Sequence, residues 1–179
     1  MDALILVDIQ NDFCPGGSLA VKEGDRVVPL VNELQKRFDL VVATKDWHPP
    51  GHSSFESLWP PHCVQNTEGA EFVAGLDTSR IAHTFLKGTD PAVDSYSGFF
   101  DNEHKRSTGL GDYLRAQGVT GVTVCGLATD YCVKNTVLDA LREGFRVRAV
   151  SEAMRAVNLR PGDDRRALEE MRAAGAEIV

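Results

Sequence analysis

The sequence lacks the features that would place it in several large classes of protein. Its 179 residues contain only four cysteines and no C-x-x-C pair, which argues against a disulfide framework or a redox pair. The net charge of −7 disfavours a nucleic-acid surface. The apolar run from Ala3 to Val7 stops at Asp8 and is too short for a signal peptide or membrane span. We therefore expect a cytoplasmic protein with reduced thiols that binds neither nucleic acid nor membrane.

Short runs of Val, Ile and Leu alternate with amphipathic segments along the chain. The runs predict buried strands at 3–9, 40–44, 81–86, from 122, 146–150 and 176–179. Helical spacing of apolar residues predicts helices at 25–38, 110–117, 132–141 and 163–174. This alternation indicates parallel strands joined by right-handed crossovers. We predict a single α/β domain over residues 1–179, with three α/β/α layers around a mostly parallel six-stranded sheet of Rossmann-like topology.

Reactive side chains follow four of the predicted strands. Asp8, Asp46 and Lys87 end the first three strands, and Cys132 opens the helix after the fourth. The carboxyl ends of parallel strands share one edge of a sheet, where ligands bind. We expect these four side chains to meet there. Because a helix N-terminus favours anions, we also expect a lowered pKa for the Cys132 thiol.

Asp8, Lys87 and Cys132 are candidates for nucleophilic catalysis. A cysteine nucleophile needs a base, and burial at a strand end should raise the pKa of Asp8 while Lys87 lowers it again. Together they would pass a proton to and from the thiol. The alternative for each residue alone is structural. Cys132 would be a small buried residue, Asp8 a turn cap and Lys87 a surface ammonium.

A second cluster of candidate residues lies in the irregular segment from 46 to 80. Asp46, His48, His52 and His62 offer a carboxylate and three imidazoles, which are ligands for zinc, iron or manganese. Prolines before and after them stiffen the loop. The alternative is a set of loop histidines without a metal. His83, inside a strand, is expected in the core.

Aromatic residues are concentrated in the irregular segments rather than in regular elements. They could wall a pocket for a flat ring, or pack the loops against the sheet rim. The residues are Phe13, Trp47, Trp59, Tyr96, Phe99 and Phe100.

Five motifs in order resemble the nicotinamidase/pyrazinamidase branch of the isochorismatase-like cysteine hydrolases. They span nearly the whole chain: VDIQNDFCPGGSLAV (7–21), KDWHPPGH (45–52), WPPHC (59–63), KG (87–88) with YSGF (96–99), and GLATDYC (126–132). The resemblance implies hydrolysis of nicotinamide to nicotinate and ammonia, and of pyrazinamide to pyrazinoate, through a thioester.

The same resemblance implies roles for individual residues. Asp8, Lys87 and Cys132 would form the catalytic triad, and the N–H groups of Ala128 and Cys132 the oxyanion hole, beside a cis peptide between Leu127 and Ala128. One divalent metal, zinc first and iron or manganese as alternatives, would bind Asp46, His48 and His62, with His52 as a further or water-mediated ligand. Residues expected to contact the substrate are Phe13, Trp59, Tyr96 and Leu127.

Other functions stay open at the level of sequence. A carbamoylsarcosine or ureidoacrylate amidase would share the triad but is expected to lack the Asp/His cluster. A non-enzymatic metal- or thiol-sensing module is a candidate from a different class. The expected partner is a small molecule, and apolar helix faces are a reason to test for a homo-oligomer.

Overall fold

The computed structural model describes all 179 residues, and its central element is a six-stranded sheet. Every neighbouring pair of strands is parallel. The order across the sheet is β3-β2-β1-β4-β5-β6. The prediction of a mostly parallel six-stranded sheet is confirmed. The strands are β1 (Asp2–Val7), β2 (Leu40–Asp46), β3 (Ile81–Lys87), β4 (Gly121–Leu127), β5 (Arg146–Arg155) and β6 (Glu177–Ile178).

Helices cover both faces of the sheet, as the alternating pattern predicts. Along β1, Ile5 packs with residues of the third, fourth and fifth helices, whereas Leu4 and Leu6 pack with the first helix. Successive side chains of a strand point to opposite faces, so an unbroken apolar strand feeds two cores. No helix is long and apolar enough to cross a membrane. The helices are α1 (Val27–Gln35), α2 (Ser54–Ser57), α3 (Leu110–Ala116), α4 (Lys134–Arg142) and α5 (Asp163–Ala173).

The strand order reverses between β1 and β4, and this reversal locates the candidate site. The chain moves from β1 to β2 and β3 on one side, then returns to place β4 on the other side. A crevice therefore opens beyond the carboxyl ends of β1 and β4. Asp8 directly follows β1, and Cys132 lies in the turn after β4. Asp46 and Lys87 end β2 and β3 and are paired across the two strands.

Most element boundaries differ from the predicted ones by one or two residues, and three elements differ in a way that the structure explains. β5 continues past residue 150 because the β4–β5 ladder resumes after an irregularity, with Gly126 opposite Met154. α1 is shorter at both ends than the predicted helix over 25–38, since a 3₁₀ turn occupies 24–26. Cys132 lies in a π-helical turn, Thr129–Val133, that precedes α4 rather than in the first α-helical turn.

His83 is exposed, so its prediction as a core residue is wrong. β3 is an edge strand of the sheet, and its burial pattern has exposed residues in its first half. The imidazole instead stacks on Tyr113, with ring centroids 5.3 Å apart. An edge position depends on lateral strand order, which the periodicity of a single strand does not encode.

Candidate active site and metal centre

Lys87 lies at the centre of a buried polar cluster that it forms with Asp8, Asp46 and Cys132. Only 2% of the residue is exposed, although it ends an edge strand. Its Nζ lies 2.8 Å from Asp8 Oδ2 and 3.3 Å from Cys132 Sγ. It also donates to Asp46 Oδ1 and, at 2.9 Å, to the Ser95 carbonyl. Four acceptors thus surround an ammonium with three protons, so one acceptor is always without a full hydrogen bond from Lys87.

Asp8 follows β1 in a left-handed backbone conformation, with φ of 47°, and is fully buried. Thr44 Oγ1 donates to its Oδ1 at 2.6 Å. Lys87 approaches Oδ2 off the direction of a hydrogen bond, which leaves this oxygen without a satisfied partner. Burial raises the pKa of Asp8 above its ordinary value, although the nearby Lys87 charge opposes the shift. The sequence predicted these two opposing effects without a net direction; the net rise makes Asp8 a stronger base than an exposed aspartate.

Cys132 is a buried thiol at the base of the crevice, and its predicted low pKa is wrong. Burial raises the pKa of Cys132 well above its usual range, and the Lys87 ammonium offsets only part of that rise. The nearby Asp8 and Asp46 carboxylates raise the pKa further. Burial and the two carboxylates together outweigh the Lys87 charge. The resting residue is a neutral thiol, and a base must remove its proton.

The turn that carries Cys132 begins at a cis peptide bond between Leu127 and Ala128, as the resemblance implied. The Ala128 N–H donates to no backbone or side-chain acceptor. Ala128 and Cys132 both line the same cleft. An unpaired N–H beside a nucleophile can receive a negatively charged oxygen. The oxyanion role of Ala128 and Cys132 stays a prediction.

Asp46, His48 and His62 form a buried group with the composition of a metal site. Their ligand atoms all lie within 4.8 Å of one another. Asp46 Oδ2 is 3.6 Å from His48 Nε2 and 3.8 Å from His62 Nε2. Burial favours a raised pKa for Asp46, but Lys87 and His48 outweigh it and hold this pKa well below its ordinary value. The carboxylate is therefore available as an anionic ligand.

Hydrogen bonds to backbone carbonyls orient both imidazoles of this group. His48 Nδ1 lies 2.8 Å from the Gly88 carbonyl, and His62 Nδ1 lies 2.8 Å from the Pro60 carbonyl. Each Nδ1 therefore carries a proton, and each Nε2, directed toward Asp46, is the nitrogen that can bind a metal once it is deprotonated. His48 Nε2 is buried without a hydrogen-bond partner. Such an unsatisfied nitrogen fits a divalent cation, and the three residues match the donor types that zinc, iron and manganese accept.

His52 lies beside this group rather than within it. Its ring is 4.2 Å from that of His48, and its Nδ1 lies 2.8 Å from Ser54 Oγ. Its Nε2 is buried without a partner, and its ligand atom groups with those of His48 and Asp94. The structure thus brings His52 close to the three residues without making it one of their set. Its predicted role as a further ligand stays a prediction.

A largely apolar cleft connects the Cys132 thiol with Asp46 and His62. Phe13, Trp59 and Tyr96 lie in its walls, as expected from the aromatic loops. Trp59 Nε1 donates to Tyr96 Oη at 3.2 Å, which couples two of the walls. Leu127 does not line the cleft, because its side chain is fully buried in the core on the α1 face. Trp47, Phe99 and Phe100 also lie outside the lining.

The isochorismatase domain family matches residues 2–179 of this sequence. The chain belongs to the isochorismatase family. A relative curated as the nicotinamidase of Escherichia coli K12 is 48% identical, over 98% of this chain and 93% of that protein. These figures agree with the family resemblance seen in the five motifs.

Two solved structures with high similarity were determined with bound molecules. The pyrazinamidase of Pyrococcus horikoshii in complex with zinc has 46% identity and a TM-score of 0.88, covering 99% of this chain and 98% of that one. PnC1 from L. infantum in complex with nicotinate has 40% identity and a TM-score of 0.95, covering 100% and 92%. The shared fold confirms the predicted isochorismatase-like architecture of this member of the family.

Several side chains near the site were not predicted from the sequence. Thr44 binds Asp8, and Gln10 binds the backbone of Asp46. Asp94 lines the cleft, together with two apolar residues, Leu19 and Val157. A signal existed for Thr44, because a polar side chain inside a buried strand needs a hydrogen-bond partner. Identifying that partner required the register of β1 against β2.

Proposed function

We propose that this protein is a metal-dependent cysteine amidohydrolase that converts nicotinamide to nicotinate and ammonia, and pyrazinamide to pyrazinoate. One observation carries the proposal. Cys132, with Lys87 and Asp8 beside it, opens into an aromatic cleft that Asp46 and His62 also line. The nicotinamidase of E. coli, the zinc complex of the P. horikoshii pyrazinamidase and the nicotinate complex of the L. infantum protein support it.

The reaction would begin with transfer of the thiol proton to Asp8. A carboxylate oxygen of Asp8 lies within 4.8 Å of Sγ, and its raised pKa suits a base. Lys87, 3.3 Å from Sγ, would stabilise the thiolate as it forms. The thiolate attacks the amide carbon, and the N–H groups of Ala128 and Cys132 receive the charge that develops on oxygen. One such donor is typically worth about 3–4 kcal/mol.

Collapse of the tetrahedral species would break the carbon–nitrogen bond. Asp8 returns its proton to the departing nitrogen, which leaves as ammonia, and Cys132 holds the acyl group as a thioester. Asp8, again ionised, then takes a proton from water as the hydroxide adds to the thioester. The carbon–sulfur bond then breaks, the carboxylic acid is released, and Asp8 passes its proton to the sulfur, which restores the thiol and the Asp8 carboxylate.

The metal would be held by Asp46, His48 and His62, with His52 as a further or water-mediated ligand. When bound, a divalent ion supplies an electrophilic anchor for a ring nitrogen, which fixes the amide relative to the nucleophile. Zinc is the first choice, with iron or manganese as alternatives.

The cleft residues would select a flat heteroaromatic amide. Phe13 and Trp59 would contact the two faces of the ring, and Tyr96 would hold Trp59 through its hydroxyl. Leu127 would contact the substrate through backbone atoms, because its side chain packs in the core. We place the reaction in cytoplasmic salvage of pyridine nucleotides, and the four free cysteines support a reducing compartment.

The test is ammonia release from nicotinamide, pyrazinamide, carbamoylsarcosine and ureidoacrylate, paired with metal analysis of the purified protein. We expect turnover of the two ring amides and about one divalent ion per chain. Preference for carbamoylsarcosine or ureidoacrylate would contradict the proposed substrate class. Tight metal binding without hydrolysis of any amide would support a sensing module instead.

A further inference from the structure

Gln10 is a fully buried polar residue outside the catalytic and metal groups. Its side-chain Nε2 donates to the Asp46 carbonyl at 2.8 Å and to the Ala70 carbonyl at 2.9 Å. Its Oε1 accepts from the Asp46 N–H at 2.9 Å. Both amide protons and the carbonyl oxygen are therefore used. A flipped amide would place N–H against N–H and oxygen against two carbonyls, so only one orientation satisfies the site.

The reason for this contact lies in the unequal lengths of two neighbouring strands. β1 pairs with β2 as far as Val7 and Thr44. The chain then turns at Asp8, whereas β2 continues to Asp46. The Asp46 N–H and carbonyl would otherwise lie beyond the end of the β1 ladder without a strand partner. The carboxamide of Gln10 supplies the missing donor and acceptor, as a peptide group of β1 would.

This arrangement links two parts of the proposed site. Gln10 follows Asp8 by two residues, and its own N–H donates to the Asp8 carbonyl at 2.9 Å. Its side chain holds the backbone of Asp46, whose carboxylate faces His48 and His62 on one side and Lys87 on the other. A shift of the Asp46 backbone would move that carboxylate relative to both imidazoles.

We infer that Gln10 is a positioning residue for the metal centre: its carboxamide extends the β1–β2 ladder and fixes Asp46 as a metal ligand. The inference rests on the proposed function only where it concerns nicotinamide. Outer residues that orient a ligand typically change metal affinity about 10- to 100-fold when they are removed.

The test compares Gln10→Ala with Gln35→Ala. Gln35 is also fully buried and donates to backbone, at the Asp77 carbonyl, but it lies on α1 away from the site. Zinc affinity is measured by competition with a chromogenic chelator, and folding by thermal unfolding. We expect Gln10→Ala to weaken zinc binding about 10-fold or more, and Gln35→Ala to leave it within about twofold.

Gln10→Glu serves as a second variant of nearly the same size, for use if Gln10→Ala does not fold. It keeps the acceptor for the Asp46 N–H but loses the donor to two carbonyls, so zinc binding should weaken as well. In the folded variants, KM for nicotinamide should rise more than kcat falls. Wild-type zinc affinity in a folded Gln10 variant would overturn the inference. A wild-type protein that binds zinc but releases no ammonia from nicotinamide would instead overturn the proposed function and leave the zinc comparison valid.

Discussion

Asp46 and Lys87 are paired at the ends of β2 and β3, and the lysine ammonium donates to one oxygen of the aspartate. The other oxygen of Asp46 faces His48 and His62. The Asp46 carboxylate thus contacts both the Lys87 ammonium, which lies beside the Cys132 thiol, and the two imidazoles of the candidate metal site. Two buried carboxylates, Asp8 and Asp46, share the charge of Lys87.

Replacing the thiol should abolish catalysis and leave the metal in place. Cys132→Ala removes the only thiol that lines the cleft, and we expect kcat for nicotinamide to fall by roughly 10⁴-fold or more. Zinc content should stay at the wild-type level, because Cys132 is not one of the three proposed ligands. Ammonia release and metal analysis check both results.

Cys125→Ala is the matched control for this variant. Cys125 is a fully buried cysteine in β4, with its thiol against the core and the Ile5 carbonyl. Cys125→Ala should lower the free energy of unfolding and leave kcat unchanged. Turnover retained by Cys132→Ala would exclude a covalent thioester.

Removing the Lys87 ammonium, which Asp8 and Asp46 share, should destabilise the fold. Lys87→Met leaves two buried carboxylates without the ammonium that they share, and we expect the free energy of unfolding to fall by about 3–5 kcal/mol. Urea denaturation measures this change. The double variant Asp46→Asn with Lys87→Met should recover part of the loss, since only Asp8 then needs neutralisation.

Lys36→Met provides the comparison for an exposed ion pair. Lys36 contacts Glu33 at 2.6 Å on the surface of α1, and both side chains are more than half exposed. Its loss should cost less than about 1 kcal/mol. Equal effects of the two lysine variants would contradict the central position of Lys87.

Removal of the metal should impair substrate binding without unfolding the protein. Asp46 ends β2, His48 and His62 lie in the segment that follows it, and none of the three belongs to either hydrophobic core, so far-UV circular dichroism should not change after chelation. We expect KM for nicotinamide to rise and zinc addition to restore it. Metal-free enzyme with an unchanged KM would show that the metal does not orient the ring.

Loss of the Tyr96 hydroxyl should raise KM by the same factor across the assay pH range. Tyr96→Phe removes the acceptor for Trp59 Nε1, a loss of about 1 kcal/mol that corresponds to about a fivefold rise in KM. Tyr113→Phe, outside the cleft, is the control and should leave KM unchanged.

The pH independence of this effect follows from the protonation state of Tyr96. Burial raises the pKa of Tyr96 to about 12, against a smaller opposing effect of the Trp59 hydrogen bond. The hydroxyl therefore stays protonated between about pH 6 and pH 9. Because the folded-state value exceeds the ordinary value of 10.0, the stabilisation from the neutral phenol is complete below pH 10 and is lost as pH rises through about 12. A KM ratio that disappears by about pH 9 would contradict this assignment.

The architecture and the main candidate residues were predictable because they depend on local patterns. Unbroken Val, Ile and Leu runs identify strands buried on both faces, and helical spacing between them requires crossovers that make the strands parallel. Parallel strands share a carboxyl edge, so Asp8, Asp46 and Lys87 had to approach one another. The nucleophile, base and metal-ligand hypotheses followed from residue types and strand ends, whereas the oxyanion hole, the cis peptide and the named substrate contacts depended on the family motifs.

Other features of the site could not be read from the chain. The exposure of His83 depends on the lateral position of β3, and the contact of Gln10 with Asp46 depends on where β1 stops pairing. The raised pKa of Cys132 is the sum of burial and the charges of Lys87, Asp8 and Asp46. Each of these depends on contacts between residues distant in sequence.

The sequence by itself determined the alternation of strands and helices, and with it the edge of the sheet at which the reactive side chains gather, because hydrophobic periodicity is a local property. Only the tertiary structure decided that one ammonium is shared by two carboxylates, that Asp46 faces both Lys87 and the imidazoles, and that the thiol rests in its neutral form. Those properties depend on distances of a few ångströms and on the exclusion of water, which arise only when the strands pack side by side.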